Sequence, residues 1–330
     1  MIIFYVALSL SVFLISLLGT RLTIIALRKR AAFLDRPNLR SNHQTPTPRG
    51  GGIAVVMALI IGLLAADVGY SIIIAMFLLA AVSLMDDLIS VPPLVRLLVQ
   101  IMAVSLVLIQ MPPVWGGSLP LWLDRSIIAI LWIWFINLFN FMDGIDGLAA
   151  SEMIGIGMGF CLLSAFDGAF PHALFAYSLI VAAAGCGFLW WNWHPAKIFL
   201  GDVGSIPIGF LLGYLLLLAA TSGYLFAALI LPAYYLSDST VTLAKRLYQR
   251  KKIWVAHSEH YYQQAVRRGR KHDTVARYIF GINILLIFLA TLSVIHPHLA
   301  ILHLFVAYLA VFTLLAFFAH APAHPHHEIS

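Results

Sequence analysis

The chain has 330 residues, 62% of them hydrophobic and only 10% charged, with a formal net charge of +6 at pH 7 and a mean hydropathy of +0.94. This composition excludes an ordinary soluble domain and places the protein in the membrane class. The basic excess reports orientation in a bilayer rather than a nucleic-acid partner. The two cysteines, Cys161 and Cys186, lie in apolar runs without the spacing of a disulfide framework or a zinc site.

The first apolar run, Ile2 to Leu18, has no positive charge before it and is followed by Arg21, Arg28, Lys29 and Arg30. That order is the reverse of a secretory leader and predicts a retained first helix with its N-terminus outside. A span needs roughly 20 apolar residues, fewer where glycine or polar ends shorten it. About eleven transmembrane helices are predicted on this measure, at 2–20, 51–66, 71–85, 97–111, 126–141, 149–166, 173–191, 205–221, 224–241, 276–294 and 299–318. Alternation from an outside N-terminus makes 21–50, 86–96, 142–148, 192–204, 242–275 and the tail cytoplasmic. Of the 20 Lys and Arg, all but Arg125 then fall in these inside segments or, for Arg277, at the inner mouth of the tenth span. The asymmetry is that of the positive-inside rule. The chain therefore reads as a single all-α polytopic membrane domain, 1–330, with a cytoplasmic C-terminus. Its polar, His-rich tail, 319–330, reads as an end with incidental metal affinity.

The acids are not scattered in this threading. Asp67, Asp124 and Asp167 fall in outer loops, whereas Asp86, Asp87, Asp143, Asp146 and Asp202 collect at inner ends of spans or in short inner loops. A carboxylate costs about 2.5–3.5 kcal/mol at the centre of a membrane helix and less near the interface, so five beside short apolar loops call for a cation or a functional cavity. In "LMDDLIS" Asp86 and Asp87 have no Lys or Arg near them until Arg96. In "FMDGIDGLAA" Asp143 and Asp146 are three apart and share a face if the helix continues, with Gly144 and Gly147 admitting close approach. The calcium-loop order is absent there. In "KIFLGDVGS" Asp202 lies between Gly201 and Gly204, in a turn whose amides could meet an anion. Acidic loops beside strongly basic ones suit a divalent cation with a phosphorylated substrate. Mg²⁺, with Mn²⁺ as a substitute, takes one or two carboxylates plus substrate phosphates, and basic residues hold the remaining charge.

Five ordered motifs, "RSNHQTPTPRGGG", "DDL", "NFMDGIDGLA", "NWHPAKIFLGDVGS" and "HSEHYYQ", spread from Arg40 to Gln263. Together they resemble the polyprenyl-phosphate N-acetylhexosamine-1-phosphate transferases of glycosyltransferase family 4. The resemblance implies an enzyme of the bacterial inner membrane, multi-pass, with its active-site cleft on the cytoplasmic face. Such an enzyme moves a sugar 1-phosphate from a UDP-N-acetylhexosamine to undecaprenyl phosphate and releases UMP. It implies catalytic roles for Asp86, Asp87 and Asp202, metal contact for Asp86 and Asp202, and substrate binding by His43, Arg49, Asn140, Asp143, Asp146, Asn192, His257 and His260. It is similar above all to the branch that initiates O-antigen or related envelope polysaccharides. The run "QTPTPRGG" departs from the "GTPTMGG" of the peptidoglycan branch, and only His257 and His260 stand where that branch has a run of histidines. Both departures argue against a pentapeptide-carrying substrate. A homodimer is compatible with the resemblance.

In the mechanism so implied, a lipid phosphate oxygen attacks the sugar-bearing phosphorus. Asp87 is a base of optional need, because a phosphate monoester has its last pKa at about 6. A covalent aspartyl-phosphate route stays open. The rival class is a cation-coupled secondary transporter, which would place acids near the bilayer midplane at a repeat interface; here they fall at span ends and no repeat is visible. A lipid-binding scaffold would leave the acid cluster unexplained.

Overall fold

The computed structural model describes residues 2–28, 30, 33–35, 46–252 and 257–320. His43, one of the predicted substrate-binding residues, and 321–330 of the His-rich tail lie outside them. The chain forms α1 (Ile2–Leu27), α2 (Gly52–Ala65), α3 (Tyr70–Ile89), α4 (Pro93–Leu108), α5 (Leu121–Phe141), α6 (Leu148–Leu163) and α7 (His172–Asn192). It continues through α8 (Asp202–Thr221), α9 (Leu225–Ile230), α10 (Ala233–Tyr248), α11 (Tyr261–Arg267), α12 (His272–Ile295) and α13 (Ala300–Ala319). Among the described residues, 7 helical segments are long and apolar enough to cross a membrane, and α2, α4 and α6 are shorter apolar helices. The architecture is that of an α-helical polytopic membrane protein.

Ten of the predicted spans each fall on one helix, and the ninth departs. It is interrupted at Leu231 and Pro232, which separate α9 from α10. Proline has no N–H to give to the preceding turn and its ring clashes with that turn's carbonyl, so α9 stops. The new helix takes Pro232 as its N-cap, with Leu236 N–H donating to the Pro232 carbonyl at 2.9 Å.

The helices pack by small residues and by polar groups that find backbone partners, as expected where lipid offers no hydrogen bonds. The Ser16 hydroxyl donates to the Ala184 carbonyl at 2.8 Å, joining α1 to α7. The Trp132 indole N–H donates to the Phe210 carbonyl at 3.0 Å, and the two rings stack with centroids 4.8 Å apart, joining α5 to α8. Of the long helices α8 is the most buried. It touches α2, α3, α5 and α9, so whatever its N-terminus carries is held from several sides.

The all-α expectation needs one addition. Leu34–Asp35 (β1) and Thr47–Pro48 (β2) pair antiparallel, and Arg49 pairs in parallel with Phe199. The run "TPTPRGG" cannot continue a helix, because its prolines lack donors and its glycines weaken helix propensity. Its free backbone groups pair outward instead. The N–H groups of Gly50 and Gly51 donate to the Phe199 carbonyl at 3.2 and 2.9 Å, and that of Gly52 to the Leu200 carbonyl at 2.9 Å. This brings the start of α2 onto the start of α8: a Cβ on Gly52 would stand 2.2 Å from the Gly204 Cα. Only glycine permits so close an approach.

Candidate active site

The paired acids occupy the last turn of α3. The helix ends at Ser90, which is left-handed at φ 55 and donates its N–H to the Asp86 carbonyl at 3.2 Å. The turn that follows folds back over the side chain, so Asp86 Oδ1 accepts the Val91 N–H at 2.7 Å. Asp86 Oδ2 accepts from Arg96 Nη1 in the first turn of α4, and the same Nη1 lies 3.9 Å from Asp202 Oδ2. Asp87 points the other way. Its Oδ2 accepts the Val203 N–H at 3.2 Å, and its Oδ1 is 3.9 Å from Arg49 Nη1. Asp202 opens α8, and Gly201 before it has φ 75, a conformation that favours glycine. A Cβ there would also meet Asp87 Oδ2 at 3.1 Å.

Asp86, Asp87, Asp202, Arg49, Arg96 and the 90–93 turn line an open cleft of about 490 Å³. The Asp202 side chain is the most open of the three acids, 33% exposed against 12% for Asp86 and 5% for Asp87. A second cavity of about 200 Å³ runs between α3, α4, α5 and α8, past Leu79, Leu97, Ile206 and the hydrogen-bonded pair Gln100 and Asn137, and meets the cleft at Arg96 and Asp202. Asn140 lines it too, with its Oδ1 accepting from the Ser205 hydroxyl at 2.6 Å.

The donor set of the cleft can be matched to a cation. Asp86 and Asp202 turn carboxylate oxygens onto one guanidinium nitrogen, so the two acids already bracket a position held by positive charge. Two carboxylates with room for phosphate and water are what Mg²⁺ takes.

Asp143 and Asp146 do not share a helix face. The helix expected to carry them ends at Phe141 and the next begins at Leu148, with Gly147 at φ 78 as the turning point. Asp143 stays with the cleft. Burial, followed by the charges of Asp202, Asp87 and Asp146, pushes its carboxyl well above the usual range. Asp146 turns away. Burial alone would raise it, but contacts from His272, from His194 and from the Ala196 N–H outweigh burial and hold it below the usual carboxylate value. His194 Nδ1 and the Ala196 N–H lie 2.7 and 3.1 Å from Asp146 Oδ2. The space beside Gly144 is filled by the protein itself, through the side chains of Tyr262 and Gln263. Asn192 is buried as a strut: its Oδ1 accepts the Gly147 N–H at 3.0 Å and its Nδ2 donates to the Ile198 carbonyl at 2.9 Å.

The His257 and His260 rings stack 5.0 Å apart, and His260 lies 6.2 Å from Phe141. His260 is buried, with Nδ1 3.4 Å from Asp238 Oδ1. His257 is half-buried; burial first, then His260 and Arg246, depress its pKa to about 4. The neutral ring accepts the Glu259 N–H on Nδ1 at 3.3 Å, so its proton sits on Nε2. Part of the basic loop's charge is already spent, because Arg246, which is buried, and Lys251, which is exposed, both bind Glu259.

Sequence reasoning gave no role to Asp238, His194 or His272. Asp238 is fully buried and accepts the N–H groups of Tyr261 and Tyr262 at 2.9 and 3.1 Å, fixing the loop that carries the histidines. Its signal was an acid in the polar stretch "YYLSDST" of a span. His194 lies inside the motif "NWHPAKIFLGDVGS", and His272 carries no local signal.

Residues 69–220 match the sequence profile described as Glycosyl transferase family 4. Over 292 residues the chain is 28% identical to a protein of Bacillus subtilis named as a probable undecaprenyl-phosphate N-acetylglucosaminyl 1-phosphate transferase, covering 82% of this chain and 81% of that one. It is 34% identical over 209 residues to a decaprenyl-phosphate N-acetylglucosaminephosphotransferase of Mycolicibacterium smegmatis, covering 54% of this chain and 51% of the relative. A phospho-N-acetylmuramoyl-pentapeptide-transferase of Chlamydia pneumoniae is 34% identical over 142 residues, 36% of this chain and 40% of its own. The profile match takes in Asp86, Asp87, Asn140, Asp143, Asp146, Asn192 and Asp202, and over this span the chain is similar to glycosyl transferase family 4, with relatives named as polyprenyl-phosphate hexosamine-1-phosphate transferases.

Proposed function

We propose that the chain transfers an N-acetylhexosamine 1-phosphate from a UDP-sugar to undecaprenyl phosphate, with release of UMP. The observation that carries this reading is the meeting of the two cavities: a charged cleft that suits a diphosphate joins an apolar passage between helices that suits a prenyl chain, and Arg96 and Asp202 stand at the junction. With the N-terminus outside and about eleven crossings, the cleft opens to the cytoplasm, on the inner membrane face where UDP-sugars are found.

The lipid phosphate at the junction attacks the sugar-bearing phosphorus through one of its oxygens. The bond from that phosphorus to the UMP oxygen breaks as the new one forms. Arg49 and Arg96 reach into the same cleft and can meet the non-bridging oxygens as charge moves onto the leaving group. Mg²⁺ held by Asp86 and Asp202 would neutralise charge on the diphosphate. Asp87, fixed by the Val203 N–H and by Arg49, lines the cleft beside them and can take the lipid phosphate's last proton where one remains. Asp143, its carboxyl pushed up by burial and by these same acids, adds a buried carboxyl beside them rather than a further fixed charge, and His257 can offer Nε2–H to the sugar-phosphate as an uncharged donor.

An aminosugar without a peptide is the favoured donor, and initiation of an O-antigen or related envelope polysaccharide the favoured role. The Bacillus subtilis match, over 82% of the chain, carries a name with N-acetylglucosamine, whereas the pentapeptide-transferase matches cover between 36% and 53% of the chain. Purified protein with undecaprenyl phosphate, Mg²⁺ and a panel of UDP-N-acetylhexosamines should release UMP and form a lipid-linked sugar with at least one donor. Absence of UMP with every donor overturns the reading. A reporter near Trp115 should read external and one after Ser330 cytoplasmic.

A further inference from the structure

One cluster of side chains is left unused by this chemistry. Asp146 in the turn between α5 and α6, His194 in the segment between α7 and α8, and His272 at the start of α12 each offer one ligand atom, and these atoms lie within 4.8 Å of one another. His194 Nδ1 is 2.7 Å from Asp146 Oδ2, His272 Nδ1 is 3.7 Å from Asp146 Oδ1, and the two imidazole rings are 5.4 Å apart. The three residues come from sequence positions far apart, so no local rule of turn or helix put them together.

Two further observations point to a ligand. His272 is 9% exposed, yet its Nδ1 is buried without a hydrogen-bond partner, directed at the carboxylate but beyond bonding distance. A buried ring nitrogen left in that state costs free energy unless something else completes it. His194 is the open member, its side chain 39% exposed, so the cluster can be entered from solvent on that side. A tetrahedral centre with bonds of ~2.1 Å holds its ligand atoms roughly 3.4 Å apart, so the 2.7 Å contact must open and the longest separation close. Rotation of the exposed His194 ring can supply much of that change.

We propose that Asp146, His194 and His272 form a binding site for a borderline divalent metal, with Zn²⁺ the best match, separate from the hard-cation position between Asp86 and Asp202. Two imidazoles and a carboxylate are a set that zinc accepts as three protein ligands with a fourth, open position, here on the His194 side. Mg²⁺ prefers an all-oxygen shell and is a poor fit. The metal clasps three connections at one end of the helical bundle: the α5–α6 turn, the segment leading to Asp202, and the entry to α12. The proposal does not rest on the transferase reading, since metal binding is read without turnover.

The test uses the full chain purified without a histidine tag, with His320, His324, His326 and His327 replaced by Ala to remove the tail as a competitor. Co²⁺ serves as the visible probe. One equivalent should bind with d–d absorption, be displaced by Zn²⁺, and be unaffected by excess Mg²⁺. H194A should weaken Zn²⁺ binding by about 10²-fold, and this variant tests the ligand without disturbing the core because the side chain is exposed. H272A should do the same; should it fail to insert, H194C decides, since a cysteine ligand retains binding and adds a thiolate-to-Co²⁺ charge-transfer band. The double variant D86N/D202N should bind as before. Absence of stoichiometric Co²⁺ or Zn²⁺, or affinity unchanged in H194A, overturns the proposal.

Discussion

The acids of the cleft and the acid of the α5–α6 turn are the same residue type at the same end of the bundle, and the fold gives them opposite company. Asp86, Asp87 and Asp202 stand at helix ends, are met by guanidinium groups and backbone N–H donors, and face an opening. Asp146 sits in a turn, is met by two imidazoles, and is closed over. What a carboxylate can bind is thus set by its neighbours: arginine and amides leave room for phosphate and a hard cation, while imidazoles make a softer set. Asp143 falls between, near Asp146 in sequence but electrically part of the cleft.

The contrast breaks most sharply at the cleft. D202N and D86N remove charge without changing shape, so each should lower turnover by about 10²-fold or more with insertion intact, measured as UMP release. Near-normal rates in both would move the chemistry elsewhere. D238N comes next. It weakens the acceptor that fixes Tyr261 and Tyr262, so KM for the UDP-sugar should rise by about 10-fold and protease should cut 257–263 sooner, with smaller change in kcat.

Acid should loosen the same loop. The folded pKa of His257 lies below its ordinary value, at about 4, so its neutral form stabilises the fold fully above pH 6.5, and that contribution fades as pH falls through about 4. Loop protection from protease should decline over this window in the wild type and less in H257Q; identical profiles would remove His257 from the loop's packing. The smallest effect concerns Asp143. A carboxyl raised on folding stabilises the fold at low pH and ceases to as pH rises through its raised value. D143N should therefore raise the Tm of chelator-treated protein at pH 8, by roughly 2–4 °C for each kcal/mol of repulsion relieved, and give no gain in acid. Equal shifts at both pH values would show that the gain is not electrostatic.

Much of the fold was legible because hydrophobicity is written segment by segment, and the helix ends near 141, 192 and 221 follow from composition alone, whereas α3 runs on past the expected end at 85 to Ile89. The break at Pro232 was not, since the flanking residues are as apolar as any span and only the missing N–H counts against them. Asp86, Asp87 and Asp202 stood out because charge is costly where they lie. Their partners did not: Arg49 reaches Asp87 from the extended segment before α2 and Arg96 reaches Asp86 from α4, and His272 meets Asp146 across 126 positions of chain, visible only once α12 packs on α6. The spacing of Asp143 and Asp146 misled because it assumed a helix where Gly147 turns the chain.

Arg96, shared between Asp86 and Asp202, carries a kinetic consequence. A resting cleft furnished with its own counterion is never a bare cluster of like charges, so an arriving divalent cation does not fill a void but displaces a tethered occupant. Its affinity is the difference between two competing neutralisations, and the freed guanidinium becomes available to the phosphate that arrives with it. If the proposed function holds, loading of metal and of nucleotide sugar would then be a paired exchange, with apparent metal affinity climbing as donor concentration rises.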